Sequence, residues 1–292
     1  MSLAVIFAAD CLILYSISNY MLRLNAGTPK MKGILFIIIA VLFVPSIMSM
    51  SSCSKDNPSV DPPGPNPPTG GKDTTTRSVG ITAQQVRNAK GGLDEFVLFL
   101  PKNYNAEPRK NFPLIIFLHG QGERGDNLEL VKKLDLPKYA ENASDFGFIL
   151  VAPQCKADTW WDVPSLRVLY DQILKDYNVD PSQIYLTGLS MGGYGVWSWA
   201  QASPQLFSAI VPICGGGDVA ANCPLAAMPA WVFHNADDPQ VSVDESRKLV
   251  KAMRDCGNDN VKYTENATGG HNAWTAAYNN PELYSWLLSN KK

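Results

Sequence analysis

The residues best suited to chemistry are a serine set between glycines and a late histidine. Gly188-Leu189-Ser190-Met191-Gly192 has the form G-x-S-x-G, with Gly193 after it. The run follows an apolar strand candidate and precedes a helical segment. A serine on so sharp a strand-to-helix turn takes a strained backbone, and glycines two residues away let neighbouring chain pass close by. A serine hydroxyl is a poor nucleophile near neutral pH and needs a base. The sequence has three histidines, His119, His234 and His271. After an elbow serine the chain order is acid, then base. His119 precedes the serine, and His234 precedes most candidate acids. His271, in Gly269-Gly270-His271-Asn272, is therefore the expected base, and His119 is expected to be structural. The acid should follow the strand candidate Ala230 to Phe233, where Asp237 and Asp238 both qualify. Its task is to hold the imidazole tautomer and stabilise the imidazolium. A tetrahedral oxyanion needs two donors. The backbone N–H of Met191 is one. Gln121, in the loop His119-Gly120-Gln121-Gly122, is the best candidate for the other.

Such groups must be carried by rigid elements. Short apolar runs recur at Phe96 to Leu100, Pro113 to Leu118, Phe148 to Ala152, Gln183 to Thr187, Ala209 to Ile213, Ala230 to Phe233 and Val261 to Tyr263. Runs apolar on both faces indicate buried parallel strands. Between them lie helical segments. Leu166, Leu169, Ile173 and Leu174 repeat at helical spacing, Gly192 to Ala202 and Ser242 to Cys256 follow, and Pro281 opens a last short helix. The alternation predicts an α/β domain whose mostly parallel central sheet is flanked by helices on both faces.

The chain has 292 residues and a formal net charge of −2, and it divides into unlike segments. Lys30, Met31 and Lys32 precede an apolar run from Ile34 to Val44, the length of a signal-peptide core. Met50-Ser51-Ser52-Cys53 resembles a lipobox whose cysteine becomes the lipidated N-terminus. Residues 1–30 are then expected to be an over-extended start, with an extra membrane segment as the competing reading, and 31–52 a lipoprotein signal peptide. The proline-rich stretch 53–79 reads as an extended tether. Residues 80–292 remain as one domain of ordinary size. Six basic and four acidic residues precede Gly80, which leaves 19 and 23 in the domain, a net charge of −4. A mildly acidic domain gives no reason to bind nucleic acid. No Cys/His spacing suggests a metal and no glycine motif suggests a nucleotide, so no cofactor is expected. Cys155, Cys214, Cys223 and Cys256 allow three full pairings, and sequence does not choose among them.

Four motifs carry a family resemblance: Leu118-His119-Gly120-Gln121-Gly122-Glu123-Arg124-Gly125-Asp126-Asn127, the elbow from Leu186 to Gly195, Pro212-Ile213-Cys214-Gly215-Gly216-Gly217, and Gly270-His271 with Trp274. They resemble the α/β-hydrolase carboxylesterases, nearest to the phospholipase/carboxylesterase and feruloyl-esterase-like or dienelactone-hydrolase-like set. The resemblance implies an α/β-hydrolase fold and a serine carboxylesterase working through an acyl-enzyme. The family's acid lies in F-H-G-x-x-D-x-x-V, which Phe233 to Val241 matches with Asp238 at the acid position and Asn235 in place of glycine. Asn235 is expected to serve a turn that tolerates positive φ. Glu123 and Arg124 are expected to form a loop-ordering ion pair. Trp160, Trp161 and Trp274 are candidate pocket walls for aryl acyl groups or sugar rings. A tethered esterase suggests acetyl or feruloyl esters on polysaccharide as substrates, and an exported outer-membrane or cell-surface lipoprotein held through Cys53, with periplasmic facing as the competing placement. The competing readings of function are a prolyl-oligopeptidase-type peptidase and a non-catalytic carbohydrate-binding lipoprotein.

Overall fold

The computed structural model describes residues 75–89 and 91–292. The expected surplus start, the signal peptide, the lipidation site at Cys53 and most of the tether lie outside the described residues. Among those residues no helix is long and apolar enough to cross a membrane. The chain joins the domain before residue 80. The Arg77 N–H donates to Asn105 Oδ1 at 2.9 Å, and Asn105 Nδ2 returns a bond to the Arg77 carbonyl at 2.7 Å. The Arg77 guanidinium lies 4.9 Å over the Tyr177 ring.

Eight strands form one sheet: β1 (Gly80–Gln85), β2 (Leu93–Leu100), β3 (Phe112–Leu118), β4 (Ile149–Cys155), β5 (Val179–Leu189), β6 (Ala209–Ile213), β7 (Ala230–Asn235) and β8 (Val261–Asn266). Their order is β1-β2-β4-β3-β5-β6-β7-β8. β1 pairs antiparallel with β2, and β2 with β4, while β3 to β8 run parallel. The period-two alternation of strand side chains divides the core between the two faces. Phe96, Leu98, Leu114, Ile116 and Leu186 pack on one face, and Val97, Phe99, Ile115, Phe117 and Tyr185 on the other.

Seven helices flank the sheet among the described residues: α1 (Glu129–Lys132), α2 (Asp135–Asn142), α3 (Val163–Asp176), α4 (Met191–Ala202), α5 (Val243–Asp255), α6 (Trp274–Tyr278) and α7 (Pro281–Ser289). α3, α4 and α5 cover the first face, and α1, α2, α6 and α7 the second. α3 shows how the sequence sets a helix. Asp162 caps it, accepting from the Ser165 N–H at 2.9 Å, and Pro164 fits its first turn, where no intrahelical donor is needed. Leu166, Leu169 and Ile173 then point inward and are fully buried.

Three elements differ from the sequence expectation. β1 is not legible as an apolar run, because GITAQQ is an edge strand with partly exposed side chains. α1 and α2 fill a stretch that showed no clear helical period. Of the four domain cysteines, Cys223 and Cys256 form a disulfide, while Cys155 and Cys214 are free and buried. The bond ties a short turn after β6 to the C-terminal end of α5.

Candidate active site

The parallel strands point their C-terminal ends to one edge, where an open α/β sheet presents its functional loops. Ser190 stands there between β5 and α4 with φ 53° and ψ −117°, a left-handed position costly for a non-glycine residue. Its N–H donates to the Ile213 carbonyl at 3.0 Å. The glycines are sterically required. A Cβ on Gly188 would lie 2.6 Å from the Gly192 carbonyl oxygen, and one on Gly192 would collide with the Leu118 carbonyl.

His271 Nε2 lies 2.8 Å from Ser190 Oγ, and its Nδ1 lies 2.7 Å from Asp238 Oδ2. A carboxylate accepts, so Nδ1 carries the proton and Nε2 is left to accept from the serine. The second Asp238 oxygen accepts from the N–H groups of Gln240 at 2.8 Å and Val241 at 3.0 Å. Burial of this carboxyl would raise its pKa, but the bonds from His271, Val241 and Gln240 prevail and hold it below the usual carboxylate value. The side chain has no solvent exposure.

Asp237, the other candidate acid, does not reach His271. Its carboxylate accepts from the N–H groups of Gly269 at 3.2 Å and Gly270 at 2.8 Å. Asn235 completes this clasp, donating from Nδ2 to the Gly270 carbonyl at 3.0 Å, and is itself held by Asn266 at 2.8 Å. The expected positive-φ turn at Asn235 is therefore corrected: the residue ends β7, and its amide fastens the loop that presents His271.

His234 also reaches the acid. Its Nε2 lies 3.0 Å from the Val241 carbonyl and 3.2 Å from Asp238 Oδ2, both acceptors, so Nε2 carries the proton. Nδ1 then accepts from the Ser246 hydroxyl at 2.8 Å. Burial lowers the His234 pKa and keeps the ring neutral near pH 7. The F-H-N-x-x-D spacing was the available signal, since it sets the imidazole four residues before the acid.

The Gln121 loop opens as a single 3-10 turn, Gln121–Glu123. A Cβ on Gly120 would lie 3.7 Å from Ser190 Cβ, so the chain entering that turn runs beside the nucleophile. Met191 begins α4, where the first amides lack intrahelical partners and are suited to receive an anion. His119 is buried and structural. It accepts from the Cys155 N–H at 3.0 Å, so Nδ1 bears the proton and donates to the Gly120 carbonyl at 2.6 Å. Burial pushes its pKa down to about 4. The expected Glu123–Arg124 ion pair is absent among the described residues. Arg124 instead donates to the Thr159 carbonyl at 2.9 Å and the Gln121 carbonyl at 3.2 Å, bracing the loop through backbone acceptors.

The three tryptophans separate. Trp160 is exposed and lines a groove with Tyr194. Trp274 meets His271 edge-on at 5.3 Å. Trp161 is corrected from pocket wall to support: it is 5% exposed and donates its indole N–H to the His119 carbonyl at 3.2 Å. Cys214 lies beside the site with φ 39°, and its thiol is pushed up to about 12 by burial. Ligand atoms of Cys214, Asp238 and His271 fall within 4.8 Å of one another. The thiol is protonated and the other two groups are bonded to each other, so the set is engaged internally.

A mostly parallel sheet with a serine elbow at its C-terminal edge defines the class, an α/β-hydrolase. No family model matches the sequence. A solved thermostable esterase is 33% identical over 73% of this chain and 63% of its own, with a TM-score of 0.63. A bifunctional acetylxylan esterase/xylanase of Neocallimastix patriciarum is 22% identical over 60% of this chain. The probable feruloyl esterase C of Aspergillus niger is 27% identical over 80% of this chain and 82% of its own. The chain spans about a quarter (26%) of the bifunctional relative's length. Each of these relatives is named as an esterase, and this chain is similar to them within the α/β-hydrolase fold.

Proposed function

We propose that the protein is a serine carboxylesterase that removes acetyl or feruloyl groups from polysaccharide. The observation that carries this is the run Ser190–His271–Asp238 at 2.8 and 2.7 Å. Ser190 Oγ bonds to the ester carbonyl carbon while its proton passes to His271 Nε2. Asp238 holds the resulting imidazolium. The Met191 and Gln121 N–H groups stabilise the oxyanion. Collapse breaks the carbon–oxygen bond of the ester, and His271 returns the proton to the leaving alkoxide. Water then repeats the sequence on the acyl-enzyme, which releases the acid and restores Ser190. Trp160 and Trp274 flank the substrate. Replacing Ser190 by Ala should lower turnover of a p-nitrophenyl ester by several orders of magnitude. Undiminished turnover in that variant overturns the assignment.

Export with a lipid anchor at Cys53 belongs to the same reading. The Cys223–Cys256 disulfide supports it, since such bonds persist in oxidising compartments. Metabolic labelling with a fatty acid should mark the wild-type protein and spare Cys53→Ser. A mature mass that includes residues before Cys53 overturns the anchor.

A further inference from the structure

A groove of about 440 Å³ opens between the loop after β4, the outer side of α4 and the loop after β6. Trp160 forms one wall and, at 52%, is the most exposed large hydrophobic side chain among the described residues. A single exposed aromatic of this size, standing over a concave surface, is suited to contact something beyond the fold. Its ring meets Tyr194 edge-on, with centroids 6.2 Å apart. Tyr194 stands on the helix that Ser190 opens, one turn past it, and Gly215, which precedes the groove's Gly216, packs its backbone against Gly193 of the elbow, so the groove borders the nucleophile elbow.

The floor is bare peptide. A Cβ on Gly216 would sit 2.7 Å from Tyr194 Cε1, so the tyrosine ring lies directly against that backbone. From Tyr194 the groove follows α4 past the exposed Ser198 to Ala202, about 12 Å at the helical rise. Asp218 stands on the opposite rim and caps the following turn through one carboxylate oxygen, 2.9 Å from the Ala220 N–H.

The lining selects a ligand chemistry. A sugar ring has an apolar C–H face for an indole and a rim of hydroxyls for a serine, a carboxylate and peptide groups. An aromatic acyl group would be held better in an enclosed apolar slot, whereas this groove is open and partly polar. No lysine or arginine lines it, and Asp218 does, so an anionic ligand would meet an uncompensated carboxylate. We infer that the groove is a subsite for neutral sugar residues flanking the esterified one, so that the enzyme reads the glycan chain as well as the ester. The inference rests on the esterase reading proposed above.

The test measures KM and kcat of the full chain on acetylated xylo-oligosaccharides of increasing length, with p-nitrophenyl acetate alongside. For the wild-type protein KM should fall roughly tenfold from the shortest to the longest oligosaccharide. Trp160→Ala should flatten that gradient, and Trp160→Phe should restore part of it. A wild-type KM independent of length overturns the subsite, as does an unaltered gradient in Trp160→Ala. Inactivity of the wild-type protein on every ester, p-nitrophenyl acetate included, removes the esterase reading itself.

Discussion

Ser190, His271 and Asp238 differ in how visible they were before the fold was known. The serine and the histidine followed from motif form and chain order, because the elbow and the Ser-acid-His sequence are local or ordinal signals. The acid did not. Asp237 and Asp238 are adjacent with identical chemistry, and the family motif alone favoured the second. The structure separates them by partner, His271 for Asp238 and two glycine amides for Asp237. Replacing Asp238 by Asn should lower turnover by roughly three to four orders of magnitude, because an amide favours the wrong imidazole tautomer. Steady-state kinetics on a model ester, with the fold checked by circular dichroism, reads this out. His234 acts one step further back by fixing an oxygen of Asp238 from 3.2 Å. His234→Leu should lower kcat roughly ten- to a hundredfold with little change in KM. His234→Gln, which can still present an N–H toward Asp238, should recover part of the loss. Equal losses in both variants would contradict the positioning role.

The loop between β8 and α6 delivers His271, and the C-terminal end of β7 holds it in place. Asp237 binds two of its amides, and Asn235 binds its Gly270 carbonyl. Gly269 and Gly270 have φ values of 139° and 58°, so the loop uses conformations open to glycine and has little intrinsic stiffness. Asp237→Ala should therefore lower kcat about tenfold or more and speed amide hydrogen exchange across residues 266–272. Unchanged exchange there would contradict the clasp. None of this was legible in sequence, because each bond joins groups more than thirty positions apart. The same reason hid the role of Trp161, which braces His119 across 42 positions. The buried strands were legible, since a sheet covered on both faces writes itself as continuous apolar runs. The edge strand β1, half open to solvent, leaves no such trace.

Across the whole molecule, buried ionisable groups tie stability to pH. His119 titrates near 4 in the folded chain against an ordinary 6.5, so between these values the unfolded chain binds more protons. The stability from keeping it neutral is complete above about pH 6.5 and is lost as pH falls toward 4, on the order of 3 kcal/mol. His234 is shifted in the same direction and adds to the loss. Asp238, held low, adds a further loss as pH drops below the usual carboxylate range. Urea denaturation at pH 7 and pH 4.5 should show the midpoint falling, and a flat midpoint would contradict the account. The Cys223–Cys256 bond closes a loop with a sequence separation of 33 and should contribute about 3–4 kcal/mol through the unfolded chain. A paired Cys223→Ser, Cys256→Ser variant should melt measurably lower.

The alternation of apolar strands with helical segments and the serine elbow said what class of molecule to expect. The geometry adds a serine whose hydroxyl is set against an imidazole that is itself locked in one tautomer. The most direct test of that arrangement is labelling with a fluorophosphonate, followed by peptide mass spectrometry. The wild-type protein should carry one adduct per chain, on Ser190, formed slowly or not at all in His271→Ala. An adduct on another residue, or none on the wild-type protein, would contradict it.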